Sequence, residues 1–365
     1  MEVPNQQGAS APSVLFITRA YPPTHGGMEQ FSYDLTTSVA ARTRTHIIAN
    51  RRGKAALPFF VIIAFFRALF RLPHYDILHI GDPVLSVLAF LLKKFRSRPT
   101  AVTVHGLDIL YKTPVYQWYL RRFLSSSDLY ICISAFVERT LRTRFGITRT
   151  MIIPPGIRDT LYRPEVRRAD LAPILGAEKW ARPILLTVGR LVRRKGIAWF
   201  VGNVLPRLPQ EILYIVVSSG PEKSAIEEEA QRHGVRDRVL LTGTVDEDTL
   251  RTLYNTADIF VMPNILVEDD AEGFGLVALE AASCARPVIA SAVQGIVDAI
   301  YDGRNGFLVE AQDAAGFVEQ IQRLLADEHG REQFGIAARQ FTLNRFAWNT
   351  IAQKYLDAFS YLRRI

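Results

Sequence analysis

Twice along this chain an apolar run of strand-forming residues stops at glycine and passes into a segment with helical spacing. The first copy runs from residues 13–18 through Tyr21-Pro22-Pro23-Thr24-His25-Gly26-Gly27-Met28 into 29–41, where Phe31, Leu35 and Val39 recur four residues apart. The second runs from 184–188 through Gly189-Arg190-Leu191-Val192-Arg193-Arg194-Lys195-Gly196 into 197–205. Strand, glycine turn and helix open a doubly wound α/β layer, whose ligands sit beyond the carboxyl ends of the strands. Further apolar runs at 46–49, 77–80, 101–104 and 129–133, then at 213–217 and 259–262, predict further strands. With 365 residues and 48% hydrophobic content, the chain is long enough for two domains with full cores.

The second copy places four cations in six residues directly after a strand, a pattern suited to phosphate. A solvated surface turn is the alternative, although it leaves the bracketing glycines unexplained. Further on, Glu272-Gly273-Phe274-Gly275-Leu276-Val277-Ala278-Leu279-Glu280 reads as a Gly-Phe-Gly turn entering a small-residue apolar helix over 276–284, with a strand opened by Pro287. Two glycines let the backbone approach a ligand, and the helix behind them presents unpaired N–H groups and its positive dipole end. Glu272 and Glu280 bracket this anion site. A carboxylate accepts two hydrogen bonds side by side, so each can hold vicinal hydroxyls, one pair on a ribose and one on another sugar. The alternative for Glu280 is an ordinary helical glutamate directed to solvent. Gly273-x-Gly275-x-x-Ala278 also fits the dinucleotide fingerprint, which requires a strand immediately before its first glycine; here residues 263–272 intervene.

Glu, Gly-Phe-Gly and a second Glu after seven intervening residues, followed by Pro287-Val288-Ile289-Ala290, resemble the donor-site signature of glycosyltransferase family 4. The resemblance implies an α/β GT-B architecture: two Rossmann-like, doubly wound parallel-sheet domains facing a deep interdomain cleft, with a C-terminal helix crossing back to the first domain. It implies a retaining, metal-independent enzyme that moves a hexosyl residue, mannosyl or glucosyl, from a nucleotide sugar to a glycan, lipid-linked or small-molecule acceptor. In this reading Arg190 and Lys195 hold the donor diphosphate. His105, in a His-Gly pair after the strand at 101–104, contacts the donor sugar or its phosphate; from the residues alone a satisfied core histidine is the alternative. Glu272 holds sugar hydroxyls and Glu280 the ribose. Gly26, Gly27, Gly189, Gly220, Thr242, Gly243, Gly273, Phe274, Gly275 and Leu276 complete the donor contacts. The chain departs from the family at Pro155, where asparagine is usual, at Ser218-Ser219, where Gly-Asp is usual, and at Ala285, which replaces a glycine. A nucleotide-sugar epimerase or hydrolase of the same fold, or a non-catalytic nucleotide-sugar sensor at the membrane, are the competing classes.

The expected organisation is a mobile polar tail at 1–12, an acceptor domain at 13–168 completed by 346–365, and a donor domain at 169–345. Residues 1–170 carry 23 Lys and Arg against 11 Asp and Glu, whereas residues 171–365 carry 21 against 25. Such asymmetry directs the first half toward an anionic surface or ligand. No zinc spacing, RNA-binding motif or basic zipper accompanies it, so nucleic acid is not an expected partner. The apolar run at 57–70 is 14 residues with an arginine inside, against about 20 for a spanning helix. It reads either as a core helix or as an interfacial one that docks the protein on the inner face of the cytoplasmic membrane, helped by Lys93, Lys94 and Arg96. Asp246-Glu247-Asp248 reads as a helix cap rather than a metal pair, and no metal or cofactor is expected. Cys132 and Cys284, both in apolar runs, are expected to be free buried thiols of a reducing compartment.

Overall fold

The computed structural model describes residues 11–24, 26–176, 180–268 and 270–364. Most of the expected tail, residues 1–10, lies outside this range, as does His25. The chain forms two compact units: one ends at Gly156 and resumes at Trp348, and the other is Ile157–Ala347. Residues 157–168 therefore go with the second unit, not the first. The physical ties are Asn255, which bonds Leu161 and Arg163, and Asp258, which takes both terminal nitrogens of Arg168.

The first unit is built on β1 (Val14–Thr18), β2 (Thr45–Ala49), β3 (Ile77–Ile80), β4 (Thr100–Val104), β5 (Leu129–Cys132) and β6 (Thr150–Ile152). All pair in parallel, in the order β2-β1-β3-β4-β5-β6. The second unit repeats the plan with β7 (Ile184–Val188), β8 (Leu213–Val217), β9 (Val239–Gly243), β10 (Ile259–Met262), β11 (Val288–Ser291) and β12 (Phe307–Val309), in the order β12-β11-β10-β7-β8-β9. The central strands are buried on both faces, which is why they read as continuous apolar runs rather than alternating ones.

Strand order reverses between β1 and β3 in one sheet and between β7 and β10 in the other. Chain leaving those strands turns away to opposite sides, and the crevice opens there. The core of the first unit includes Phe16, Ile131, Ile351, Tyr355 and Phe359, so the terminal Trp348–Arg364 helix is part of that core. In the second unit Phe200, Tyr214, Val261 and Phe317 play the same role.

The Leu57–Arg71 helix has both a buried and an exposed apolar face. A stripe of Phe60, Ala64 and Ala68 is buried, while Phe59, Ile62, Ile63, Phe66 and Phe70 are exposed, Phe59 at 73% and Phe70 at 74%. Flanking turns lengthen the helical run to 21 residues, Lys54–His74, so length and composition alone no longer exclude a span. The helix nonetheless packs on this unit's own β1 and β2. Of the three basic residues expected to help it, Lys93 is engaged with Asp128 at 2.6 Å.

Candidate functional site

At the reversal point of the second sheet, β7 runs into the Gly189–Gly196 turn and β10 into Pro263-Asn264. Gly189, at φ +140°, leaves room for the Lys195 chain to pass, whose Cε would lie 3.4 Å from a Cβ there. Gly196 makes room for the β10 loop: a Cβ would meet the Pro263 carbonyl at 1.9 Å. Lys195 is thereby buried and reaches Glu272, Nζ to Oε2 at 2.5 Å. Asn264, 1% exposed, donates to the same oxygen at 3.1 Å. Glu272 Oε1 accepts from no described residue. Burial raises the Glu272 pKa, but the nearby charges of Lys195 and Arg194 and the two hydrogen bonds outweigh it, so the carboxyl lies below its ordinary value and is ionised.

The four cations of the turn divide. Arg190 and Arg193 are exposed, and the Arg190 side chain has no partner among the described residues. Arg194 turns in, bonding the Ala271 carbonyl and lying 3.4 Å from Asp270, while its own carbonyl accepts from Ile265. It clamps the loop before Glu272 to the turn after β7.

The Gly-Phe-Gly turn is held from behind. Gln294 Oε1 accepts from the Glu272 N–H at 2.7 Å, the Gly295 N–H donates to the Glu272 carbonyl, and a Cβ on Gly295 would lie 2.0 Å from the Gly273 carbonyl. Phe274 anchors the turn, its ring buried 6.0 Å from that of Phe346. Gly275, at φ +93°, precedes the Leu276–Ser283 helix and offers no capping side chain; its carbonyl takes the Ala278 N–H, which leaves the N–H groups of Leu276 and Val277 for another acceptor. Glu280, on this helix, is not directed into solvent: Tyr254 donates to its Oε2 at 2.8 Å. Burial holds its pKa above the usual carboxylate range.

Gly220 has a packing reason as well: a Cβ would lie 2.4 Å from the Leu191 carbonyl. Thr242 and Gly243 end β9, with Thr242 bonded to the Gly243 carbonyl and Gly243 at φ +70°. Asp246 caps the Glu247–Thr256 helix by accepting from the Thr249 N–H at 2.8 Å, as the cap reading predicts.

In the first unit, Gly26 and Gly27 open the Gly27–Ala40 helix beyond β1. His105 follows β4 and lies edge-on to Phe31. Its Nε2 is 3.1 Å from the Gly81 carbonyl, which can only accept, so Nε2 carries the proton and Nδ1 the lone pair in the neutral ring. Asp108 accepts from the N–H groups of His105 and Gly106 and fixes the turn. Arg19 and Asp82, at the ends of β1 and β3, pair at 2.9 Å.

Two family profiles match: "Glycosyltransferase Family 4" over residues 13–161 and "Glycosyl transferases group 1" over 182–327, together most of the chain. The chain belongs to glycosyltransferase family 4. This glycosyltransferase is 26% identical over 379 residues to a GDP-mannose-dependent alpha-(1-6)-phosphatidylinositol monomannoside mannosyltransferase of Mycobacterium tuberculosis, covering 94% of this chain and 97% of the relative. It is 33% identical over 247 residues to a D-inositol 3-phosphate glycosyltransferase of Xylanimonas cellulosilytica, covering 65% and 58%. Sucrose-phosphate synthase from Thermosynechococcus elongatus has the same fold, with a TM-score of 0.77 at 25% identity over 96% and 99% of the two chains. The enzyme is thus a GT-B glycosyltransferase that uses a nucleotide sugar.

Sequence reasoning about this glycosyltransferase did not find Asn264, Gln294 or Tyr254, because nothing local marks them. Asn264 follows β10, the strand at the reversal point, and that position was the one signal that could have singled it out.

Proposed function

We propose that the enzyme transfers a mannosyl or glucosyl residue, with retention and without a metal, to a hydroxyl of a glycan, lipid-linked or small-molecule acceptor. The observation that carries this reading is the Lys195–Glu272–Asn264 cluster at the strand-order reversal: a cation suited to diphosphate beside an ionised carboxylate with one oxygen open. Arg190 and Lys195 hold the diphosphate, Glu272 takes sugar hydroxyls through Oε1, and Glu280 takes the ribose. His105 contacts the sugar or its phosphate. Gly26, Gly27, Gly189, Gly220, Thr242, Gly243, Gly273, Phe274, Gly275 and Leu276 shape the backbone around the donor. The bond from the anomeric carbon to the diphosphate breaks as the acceptor oxygen bonds on the same face, and the acceptor proton passes to the departing diphosphate. The protein acts mainly by holding the charge that builds on that leaving group.

The mycobacterial relative's dependence on GDP-mannose supports that donor, with a UDP-hexose as the alternative. A thermal-shift screen of GDP-, UDP- and ADP-sugars, followed by product analysis with and without EDTA, tests the reading. One donor class should raise the melting temperature and release nucleoside diphosphate only with acceptor present. Free sugar or an epimer from donor alone would show an enzyme of another kind.

The acceptor side is proposed to work at the inner face of the cytoplasmic membrane as a peripheral protein. Support comes from the exposed apolar face of the Leu57–Arg71 helix with exposed Arg67 and Arg71 beside it. The lipid acceptor named for the mycobacterial relative supports it too. Vesicle sedimentation is the test.

A further inference from the structure

We infer that Tyr254 is a positioning residue for ribose recognition: its hydroxyl fixes the Glu280 carboxylate so that Oε1 alone meets the ribose diol. This deepens the reading of Glu280 as the ribose holder and rests on it.

Tyr254 lies on the Glu247–Thr256 helix and Glu280 on the Leu276–Ser283 helix. The Tyr254 ring is 0% exposed and packs 6.0 Å from Phe260 of β10, so its orientation is set by the core. The ring thus fixes the place of its hydroxyl oxygen, which donates to Glu280 Oε2 at 2.8 Å. A glutamate side chain has three rotatable bonds, and the one bond from a core-anchored donor restricts them before ligand arrives. Glu280 Oε1 accepts from no described residue and is the oxygen left for a partner. A tyrosine in a packed core normally has its hydroxyl bonded; what calls for a reason here is the partner, an ionisable carboxylate rather than a backbone carbonyl. The pairing also eases the cost of a negative charge at a buried site: burial raises the Glu280 pKa, and the Tyr254 hydrogen bond and the Arg158 charge oppose that rise.

The experiment compares GDP and UDP with their 2′,3′-dideoxy forms on the parent, Tyr254→Phe and Glu280→Gln. A hydrogen bond to a charged group contributes roughly 1.5–3 kcal/mol, so the parent should prefer the ribose form by about 10- to 100-fold. Tyr254→Phe keeps the buried ring and should bind the dideoxy forms like the parent, which shows that the pocket is intact. Its preference for ribose should shrink several-fold, the donor loss falling on KM rather than kcat. The acidic limb of donor binding should move to higher pH, because the bond that opposes the raised Glu280 pKa is gone. Equal loss toward ribose and dideoxy forms, or an unchanged preference and pH limb, would overturn the role of Tyr254. Full preference retained by Glu280→Gln would instead overturn the ribose assignment of Glu280, so the two failures are distinguishable.

Discussion

At Ala285 and Ser218 the backbone sits at φ +56° and +117°, where glycine costs nothing and a Cβ is strained. Both are positions at which the chain departs from its family's glycine. Each position carries a Cβ in that conformation, so strain is stored in the fold. Ala285→Gly should therefore stabilise the second unit by roughly 0.5–1 kcal/mol net of the extra freedom glycine has when unfolded. That corresponds to a rise in melting temperature of about 1–4 °C. Ala281→Gly, inside the preceding helix, is the control and should lower stability by about 1 kcal/mol. Calorimetry on the pair decides, and a fall for both would mean that the strain at Ala285 is not felt. Glu272 gives a second residue-scale expectation. Its folded pKa is lowered, so the stability it contributes is complete above the ordinary carboxylate range and is lost as pH falls through the lowered value. The melting temperature of Glu272→Gln should accordingly depend less on acid pH than that of the parent. Identical pH profiles would show that the Lys195 pairing does not stabilise the fold.

The Gly189–Gly196 turn behaves as an element whose cations have separate duties, because its two end glycines admit the Lys195 chain on one side and the β10 loop on the other. Under saturating donor, Lys195→Ala and Arg190→Ala should each lower kcat by roughly 10²- to 10³-fold, by analogy with single groups that stabilise developing charge. Arg190→Lys should rescue only partly, since lysine has no planar fork to grip two phosphate oxygens. Arg193, exposed, should change little on substitution by alanine. If Arg193→Ala is as impaired as the other two, the turn is a diffuse basic patch. The Leu57–Arg71 helix makes the complementary point: near-uniform hydrophobicity divides into a narrow buried stripe and a broad exposed face only when alanines at 64 and 68 meet the sheet. Periodicity could not separate them, because both faces are apolar.

Across the whole molecule, right-handed crossovers put the helices that follow β2, β3, β4 and β5 on one face of the first sheet. That layer carries exposed Phe59, Phe66, Phe70, Phe95, Val115 and Trp118, with Arg67, Arg71, Arg96, Arg121 and Arg122 also exposed. Each basic side chain near an anionic lipid surface contributes on the order of 1 kcal/mol, within a Debye length. The protein should therefore pellet with anionic vesicles, be released by salt, and bind less after Phe59→Ser with Phe70→Ser. Equal pelleting with neutral and anionic vesicles, or none with either, would reject this. Most of the fold was legible beforehand. The strands at 77–80, 184–188, 213–217 and 259–262 fall where their apolar runs lie, and the glycine turns follow them. Local composition suffices there, since a strand buried on both faces must be apolar and a tight turn toward a ligand needs glycine. The partners of the site's carboxylates were not legible. Lys195 and Glu272 are 77 residues apart, Tyr254 and Glu280 are 26 apart, and Gln294 reaches back 22 residues. Such pairs are chosen by which strand ends and helices the sheet order brings side by side, and that order is a property of the folded chain rather than of any window along it. The sequence by itself thus determined the two layers, their turns and the charged groups available to a nucleotide sugar. Only the tertiary structure decided which of those groups neutralise each other, because a charge taken out of water must find its partner across the fold.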